Sequence, residues 1–296
     1  MKENKPLVAV YTLVYNHEPF LRDYFEGIIM QKTNFPFIAI VHDDCSTDGS
    51  AAIIREYAEK YPDIIKPIFE EINCYQNDLW ERVEKKMEAA YKDAKYIAFC
   101  EGDDYWTDPL KLQRQVDFME SNSNYSAIAE NGLVKNLITN KEFVFNEADS
   151  HDVTLEEVII TRRFPTAGVL CRQSYFSEFK HTSKYSIDTI MWCWFISKGS
   201  MRYDKVVSSV YRRGNQGMTL GTEPYHFARE CEKWHDEMLR LFDLRKDFMY
   251  IHTAKMYKSF IEPALKHRHI GSAFKCLLRG GYFTAKGLLY KILPNK

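Results

Sequence analysis

The chain has 296 residues and a formal net charge of −1, so it can bury a substantial core but carries no global excess of positive charge. This near-neutral balance argues against a nucleic-acid partner. The seven cysteines are scattered without CxxC spacing, which favours reduced thiols over a zinc site or a disulfide framework. The N-terminus has no apolar signal segment, and no apolar run reaches the roughly 18 residues needed to span a bilayer. We therefore expect a cytoplasmic protein.

The first hundred residues alternate apolar runs with amphipathic segments. Strands are predicted at 7–14, 37–41, 64–69 and 96–100, and helices at 20–31, 53–61 and 79–90. This β-α-β-α-β-α-β order predicts an α/β fold with a mainly parallel sheet and helices on both faces. A ligand is expected at the carboxyl ends of the strands.

Three polar segments follow strands of this sheet: Tyr15-Asn16, Asp43-Asp44 and the stretch from Glu101 to Asp104. The three carboxylates of the last segment would repel one another unless a cation lay among them, and oxygen ligands favour Mg²⁺ or Mn²⁺. The stretch therefore predicts a metal–diphosphate site, and an acidic surface loop is the alternative. Neither a GxGxxG nor a GxxxxGK[ST] pattern is present, which argues against a Rossmann dinucleotide site and a P-loop.

The second half of the chain adds strands at 127–134, 142–145, 166–171 and 202–210, and an apolar helix at 185–196 in which Asp188 stands at the start. Asp188 could be a helix-capping residue or a functional carboxylate. Arg212 lies in a glycine-bounded basic segment, predicted as a mobile loop, which could contact an anionic ligand or be merely solvated.

The end of the chain changes in character. Helices are predicted at 225–242, 248–265 and 272–293, and no acidic residue occurs after Glu262. Apolar residues of the last helix are flanked by lysines and arginines, as in interfacial helices on anionic membranes, although its glycines weaken a helix. Packing on the α/β domain is the alternative. The proposed apolar face comprises Leu277, Leu278, Tyr282, Phe283, Leu288, Leu289 and Ile292.

Three motifs carry a resemblance to a known family: Val-Tyr-Asn-His at 14–17, Asp-Asp-Cys-Ser-Thr-Asp-Gly-Ser at 43–50, and Glu-Gly-Asp-Asp-Tyr-Trp-Thr-Asp-Pro at 101–109. Together they resemble the family 2 glycosyltransferases, which are inverting enzymes with the GT-A fold. The resemblance covers roughly residues 6–215. The Gln-x-x-Arg-Trp motif of processive polysaccharide synthases is missing, which suggests transfer of single sugars.

The resemblance implies a nucleotide-diphosphate-sugar donor, with UDP as the expected nucleotide, and a role for individual residues. Tyr15 would lie near the base, Asp44 would accept from the base, Glu101 would lie close to the ribose, and Asp103 would bind Mn²⁺ or Mg²⁺. Arg212 would touch the diphosphate and Asp188 would be the general base. We also include Asn77, in the loop after the third strand, among the donor-binding candidates.

The combined expectation is a GT-A domain at residues 1–220 and a helical C-terminal extension at 221–296. The protein would transfer a sugar to a glycan or lipid-linked acceptor in cell-surface polysaccharide synthesis, in the cytoplasm or peripherally on the inner face of the plasma membrane. Two other classes remain open: a non-catalytic sugar-nucleotide-binding scaffold, which would not need Asp188, and a nucleotidyltransferase, which should show a Gly-rich basic loop after the first strand.

Overall fold

The computed structural model describes residues 5–161, 163–185, 187–214 and 223–292. They form two compact units. The sheet unit contains the residues up to 181 together with 195–214, and the helical unit contains 182–194 together with the residues that follow 214. The predicted domain boundary between residues 220 and 221 lies outside the described residues and stays a prediction.

The described part of the sheet unit contains one large sheet. Its strands are β1 (Val8–Val14), β2 (Phe37–Asp43), β3 (Ile65–Phe69), β4 (Tyr96–Phe99), β5 (Tyr105–Trp106), β6 (Tyr125–Asn136), β7 (Lys141–Val144), β8 (His151–Asp152), β9 (Val169–Arg172) and β10 (Ser200–Arg213). The spatial order is β3-β2-β1-β4-β9-β6-β10-β5, with β7 on β6 and β8 on β10. The β3-β2-β1-β4 half is parallel throughout. This half follows the predicted alternation, and the predicted α/β class is confirmed.

The other half of the sheet makes it mixed. β9 lies antiparallel between β4 and β6, while β6 and β10 run parallel to each other. Part of the strand predicted at 166–171 is instead a short 3₁₀ turn, Thr166–Gly168, ahead of β9. Central strands read as continuous apolar runs because both of their faces are covered, and the described core accordingly includes Val8, Val10, Ile97 and Ala98.

The helices are α1 (Leu21–Ile29), α2 (Ser50–Lys60), α3 (Trp80–Tyr91), α4 (Lys111–Ser121), α5 (Leu155–Ile160), α6 (Gln173–Thr182), α7 (Asp188–Lys198), α8 (Pro224–Leu241), α9 (Lys246–Ser259), α10 (Ile261–Lys266) and α11 (Ile270–Ile292). The single helix predicted at 248–265 is two helices that meet at Phe260. Pro263 explains the break, because it has no N–H to donate to the carbonyl of Ser259.

The helical unit is held by an apolar cluster and a buried charge network. Ala228 of α8, Tyr257 of α9 and Phe283 of α11 belong to the cluster. Glu232 of α8 accepts hydrogen bonds from Tyr257 and from the guanidinium of Arg279 on α11. The carboxylate thereby joins three helices. Among the described residues, no helix combines the length and the apolar composition required to cross a membrane.

Candidate functional site

The loops that follow β1, β2 and β4 are joined at one edge of the sheet by backbone hydrogen bonds. The Asp44 N–H donates to the carbonyl of Val14 at 3.0 Å, and the Gly102 N–H donates to the carbonyl of Leu13 at 3.1 Å. Because these bonds continue the ladders past the strand ends, the three predicted polar segments lie side by side. The site is therefore built on rigid backbone.

Side chains of the second loop fix the first one. Asn16 has a left-handed φ of 56°, and its Oδ1 accepts from the backbone N–H of Thr47 at 2.8 Å. Ser46 Oγ accepts from the Asn16 N–H at 2.9 Å, and the Asp48 carboxylate accepts from the N–H groups of Glu18 and Ser50 at 3.0 and 2.9 Å. Polar residues that bond to nearby backbone in this way shape turns and helix starts.

Asp44 is only 5% exposed, and it anchors the loop after β3. Its Oδ1 accepts from the backbone N–H of Cys74 at 2.7 Å, and its Oδ2 accepts from that of Tyr75 at 3.1 Å. Each carboxylate oxygen can accept a further bond, so an additional donor can still be recognised. The role of Asp44 toward a base stays a prediction.

Asn77 and Tyr15 present side chains to solvent around this anchor. Asn77 is exposed on the loop after β3, where its Nδ2 donates to the carbonyl of Asn73 at 2.7 Å. Tyr15 is 38% exposed and lies directly after β1. Both are accessible to a ligand at the sheet edge, which is compatible with the roles predicted for them.

The carboxylates of Glu101, Asp103 and Asp104 converge in the loop after β4. One oxygen from each lies within 4.8 Å of the others. Gly102 is required between them, because a Cβ there would lie 2.8 Å from Val14 Cγ2 and 2.9 Å from His17 Nδ1. Three hard oxygen donors at this spacing suit Mg²⁺ or Mn²⁺. The cluster thus contains Asp103, the metal ligand that the sequence predicts, and the assignment of Asp103 to a metal stays a prediction.

Arg212 differs from the sequence expectation. It was predicted in a mobile basic loop, but it lies within β10, where it is paired with Lys135 of β6, and it is buried. Its backbone N–H donates to Asp104 Oδ1 at 2.8 Å, and its Nη1 donates to the carbonyl of Asp103 at 2.9 Å. The residue therefore secures the acidic loop. Contact with a diphosphate stays a prediction.

Asp23 on α1 was missed by the sequence analysis, and it forms an ion pair with Arg212. The guanidinium also lies 4.3 Å from the ring centroid of Tyr105. An acidic residue in the first turn of a helix is common, so nothing in the pattern distinguished Asp23 from a residue that complements the helix dipole. Only the fold brings it to the acidic loop.

His17 belongs to the first of the three sequence motifs, but no functional role was predicted for it. It packs against Gly102, and its Nδ1 is buried without a hydrogen-bond partner among the described residues. Burial lowers the pKa of His17, and the nearby Asp103 carboxylate opposes that effect. A single histidine in a turn gives no spacing signal that sequence analysis could use.

Asp188 begins α7, as predicted, and its position falls within the helical unit. It is half-buried at the start of an apolar helix whose following turns bury Ile190, Trp192 and Cys193. A carboxylate at this position complements the positive end of the helix dipole. Whether it acts as the general base stays a prediction.

Solved structures that resemble this chain define its fold. S. aureus TarS 1–349 in complex with UDP-GlcNAc aligns with a TM-score of 0.60 and 18% identity, over 86% of this chain and 73% of TarS. The mannosyltransferase PcManGT from Pyrobaculum calidifontis, in complex with GDP-Man and Mn²⁺, aligns with a TM-score of 0.54 and 13% identity, over 99% of this chain and 88% of PcManGT. The fold is that of the GT-A glycosyltransferases.

Sequence comparison then identifies the family. Residues 9–137 match the profile of glycosyl transferase family 2, and this part of the chain is a domain of that family. One relative is the putative teichuronic acid biosynthesis glycosyltransferase TuaG of Bacillus subtilis, which is 33% identical over 138 residues, or 43% of this chain and 50% of TuaG. The chain spans between 31% and 50% of the length of curated relatives that it matches.

Proposed function

We propose that the protein is a metal-dependent inverting glycosyltransferase that moves one sugar from a nucleotide-diphosphate sugar, with UDP as the nucleotide, to a hydroxyl group of an acceptor. The observation that carries this proposal is the convergence of Glu101, Asp103 and Asp104 within 4.8 Å at the carboxyl edge of a family 2 domain. Such a cluster suits a divalent cation, and a cation suits a diphosphate.

The donor would lie along the sheet edge. Tyr15 offers an aromatic face to the base, and Asp44 offers its remaining acceptor capacity. Asn77 would add a polar contact from the loop after β3, while Glu101 would reach the ribose. The backbone bonds between the loops favour this arrangement, because they hold the binding groups in place before the donor arrives.

Asp103 would hold Mn²⁺ or Mg²⁺, and the carboxylates of Glu101 and Asp104 lie beside it. A bound metal would neutralise charge on the departing diphosphate. Arg212 would contribute in two ways, since it fixes the acidic loop and carries a positive charge beside it. A contact between its guanidinium and the diphosphate would add to the stabilisation of the leaving group.

Asp188 would act on the acceptor. Inversion at the anomeric carbon requires a hydroxyl group to attack from the side opposite the leaving diphosphate, and a carboxylate within hydrogen-bond reach can take its proton. As the new C–O bond forms, the bond between the anomeric carbon and the diphosphate oxygen breaks, and the proton passes to Asp188. No covalent sugar–enzyme intermediate is needed.

The acceptor is proposed to be a glycan or a lipid-linked oligosaccharide of a cell-surface polysaccharide, and the reaction to occur in the cytoplasm. The relative TuaG supports the polysaccharide acceptor, because its name assigns it to teichuronic acid biosynthesis. The absence of a processive-synthase motif from the sequence favours addition of single sugars.

The proposal is tested by calorimetric titration of the purified chain with UDP, GDP and dTDP, each in Mn²⁺ and in EDTA. We expect UDP to bind in Mn²⁺ and to bind much more weakly in EDTA. A preference for GDP or dTDP would overturn the choice of nucleotide. Failure of all three to bind in Mn²⁺ would overturn the donor site, whereas binding without hydrolysis or transfer in an acceptor screen would favour a non-catalytic scaffold.

A further inference from the structure

Helix α11 has two apolar faces, and within the described part of the chain only one of them packs against other helices. Small residues and one aromatic ring make the buried face: Ala273, Cys276, Gly280, Phe283 and Gly287. A Cβ at Gly287 would lie 2.8 Å from Ile251 Cγ1 of α9, so this glycine allows the two helices to approach closely. Glycines that looked destabilising in the sequence are thus part of a helix–helix contact.

The opposite face of α11 is exposed and consists of large apolar side chains. We call it the outer face, and each of its members is between 51% and 72% exposed: Ile270, Phe274, Leu277, Leu278, Leu288, Leu289 and Ile292. At about 100° per residue these positions fall within an arc of about 120°, and they run along about 33 Å of helix. Soluble proteins seldom expose an apolar strip of this size unless it binds something.

The outer face differs from the one that the sequence suggested. Phe283, predicted on that face, is 4% exposed and packs inward, while Ile270 and Phe274 belong to the outer face and were not predicted there. Tyr282 lies at its border. The prediction erred because apolar residues occupy both sides of the helix, and the sequence alone does not say which side meets α9.

The charged residues of α11 and of the segment just before it are of one sign. No aspartate or glutamate occurs from residue 263 to residue 292. Four exposed basic or titratable residues, Lys266, His267, Arg268 and His269, directly precede α11, and exposed Lys275 and Lys291 lie on the helix itself. An apolar strip whose own helix and preceding segment carry cations and no carboxylate side chain complements a surface that is apolar below and anionic above.

We infer that α11 lies flat in the interface of an anionic lipid membrane, with its outer face among the acyl chains and the basic residues at the headgroups. A protein partner or a second copy of the chain would be expected to meet acidic as well as basic groups at the rim of such a strip, because protein interfaces have mixed polar rims. This inference goes beyond the proposed function, since it does not depend on the donor or on Asp188.

The test is co-sedimentation of the full chain with vesicles of phosphatidylcholine alone and of phosphatidylcholine mixed with phosphatidylglycerol. The outer-face variant carries Phe274→Gln, Leu278→Gln and Leu289→Gln. We expect wild-type protein to bind the anionic vesicles, and each glutamine to weaken binding by about tenfold, which corresponds to the loss of one buried large apolar side chain.

A matched control variant loses three apolar side chains of similar exposure elsewhere: Ile138→Gln, Phe143→Gln and Ile160→Gln. Both variants keep the net charge, and circular dichroism with thermal unfolding checks that both fold. The control should bind vesicles like wild type. Equal binding by the outer-face variant and the control would overturn the inference, as would failure of wild type to bind anionic vesicles.

A second variant separates charge from apolar contact. Lys266→Gln, Arg268→Asn and Lys291→Gln remove three cations, and asparagine is chosen at 268 because Arg268 has a positive φ of 62°. Binding to anionic vesicles should fall about fivefold per cation.

The oligomeric state of the protein gives a further outcome. If wild type is a dimer that does not bind vesicles, and the outer-face variant is a monomer, the outer face belongs to the contact with a second copy of the chain. Titration with UDP in Mn²⁺ should be unchanged in these variants, so the donor site is judged separately.

Discussion

Replacing Asp103 by asparagine should have opposite effects on the metal-free and metal-bound protein. In the absence of a cation, the three carboxylates of the acidic loop repel one another. At the 4.8 Å that bounds their separation, two unit charges interact by about 1 kcal/mol in water and by about 3.5 kcal/mol at an effective dielectric constant near 20. Asp103 is half-buried, so we use the lower value.

Asp103→Asn removes two of the three repulsive pairs, and the metal-free protein should gain about 2 kcal/mol of stability. For a unit of this size the gain corresponds to a rise in Tm of about 4 °C or more. Wild-type protein should gain about 2.7 kcal/mol at a Mn²⁺ concentration 100 times its Kd. The variant should lose most of this Mn²⁺-dependent gain, because it has lost one charged ligand.

The assay is thermal unfolding of both proteins in EDTA and over a series of Mn²⁺ concentrations, with UDP present in a second series. Glu59→Gln, at an exposed position of α2, is the matched control for the loss of one negative charge. It should behave like wild type in both conditions. An Asp103→Asn variant that is less stable than wild type in EDTA, or that gains as much from Mn²⁺, would refute the assignment of Asp103 to a cation site.

Three further substitutions test other parts of the structure. Asp188→Asn should leave UDP affinity unchanged and lower kcat by about 10²-fold or more, and normal turnover would remove Asp188 as the base. Asp23→Asn should weaken Mn²⁺-dependent UDP binding by about two- to fivefold. The reason is that the Asp23 carboxylate, which is 59% exposed, contributes about 0.5–1 kcal/mol to holding Arg212 in place. A UDP titration of Asp23→Asn that matches that of the Glu59→Gln control would contradict this. Burial lowers the pKa of Lys111 to about 8 in the folded protein, from about 10.5 in the unfolded chain. Between about pH 8 and 10.5 the folded protein therefore binds fewer protons at Lys111 than the unfolded chain does. The contribution of Lys111 to the free energy of unfolding should rise with pH over this range. Urea unfolding of Lys111→Met should lack that rise, and an unchanged slope would count against it.

The parallel half of the fold could be predicted because local signals agree with the tertiary structure. Three of its four strands, β1, β2 and β4, begin with apolar runs, and each connecting helix has an amphipathic face, so period and burial give the same answer there. The acidic loop was found for the same reason, since a strand that ends in carboxylates has a fixed place at the sheet edge. The break at Phe260 was not predicted, because the effect of Pro263 on the turn that precedes it was not taken into account.

The remaining features depend on contacts between distant parts of the chain. The ion pair of Asp23 and Arg212 joins residues 189 positions apart, and no periodicity encodes such a pair. Likewise, a helix with apolar residues on opposite sides does not reveal which side is buried. Phe283 packs inward and Phe274 points outward because α9 meets the side of α11 where glycines leave room.

The backbone bonds that tie the loops to β1 bear on how the protein could be re-engineered. Asp44 and Gly102 are held there through main-chain N–H groups, so the path of both loops survives most changes of neighbouring side chains. Under the proposed function, changes at the exposed positions Tyr15 and Asn77 would alter nucleotide preference without rebuilding the scaffold. Inserting a single residue within β1 would be far more damaging, because it would shift the register and turn every later side chain of that strand to the opposite face.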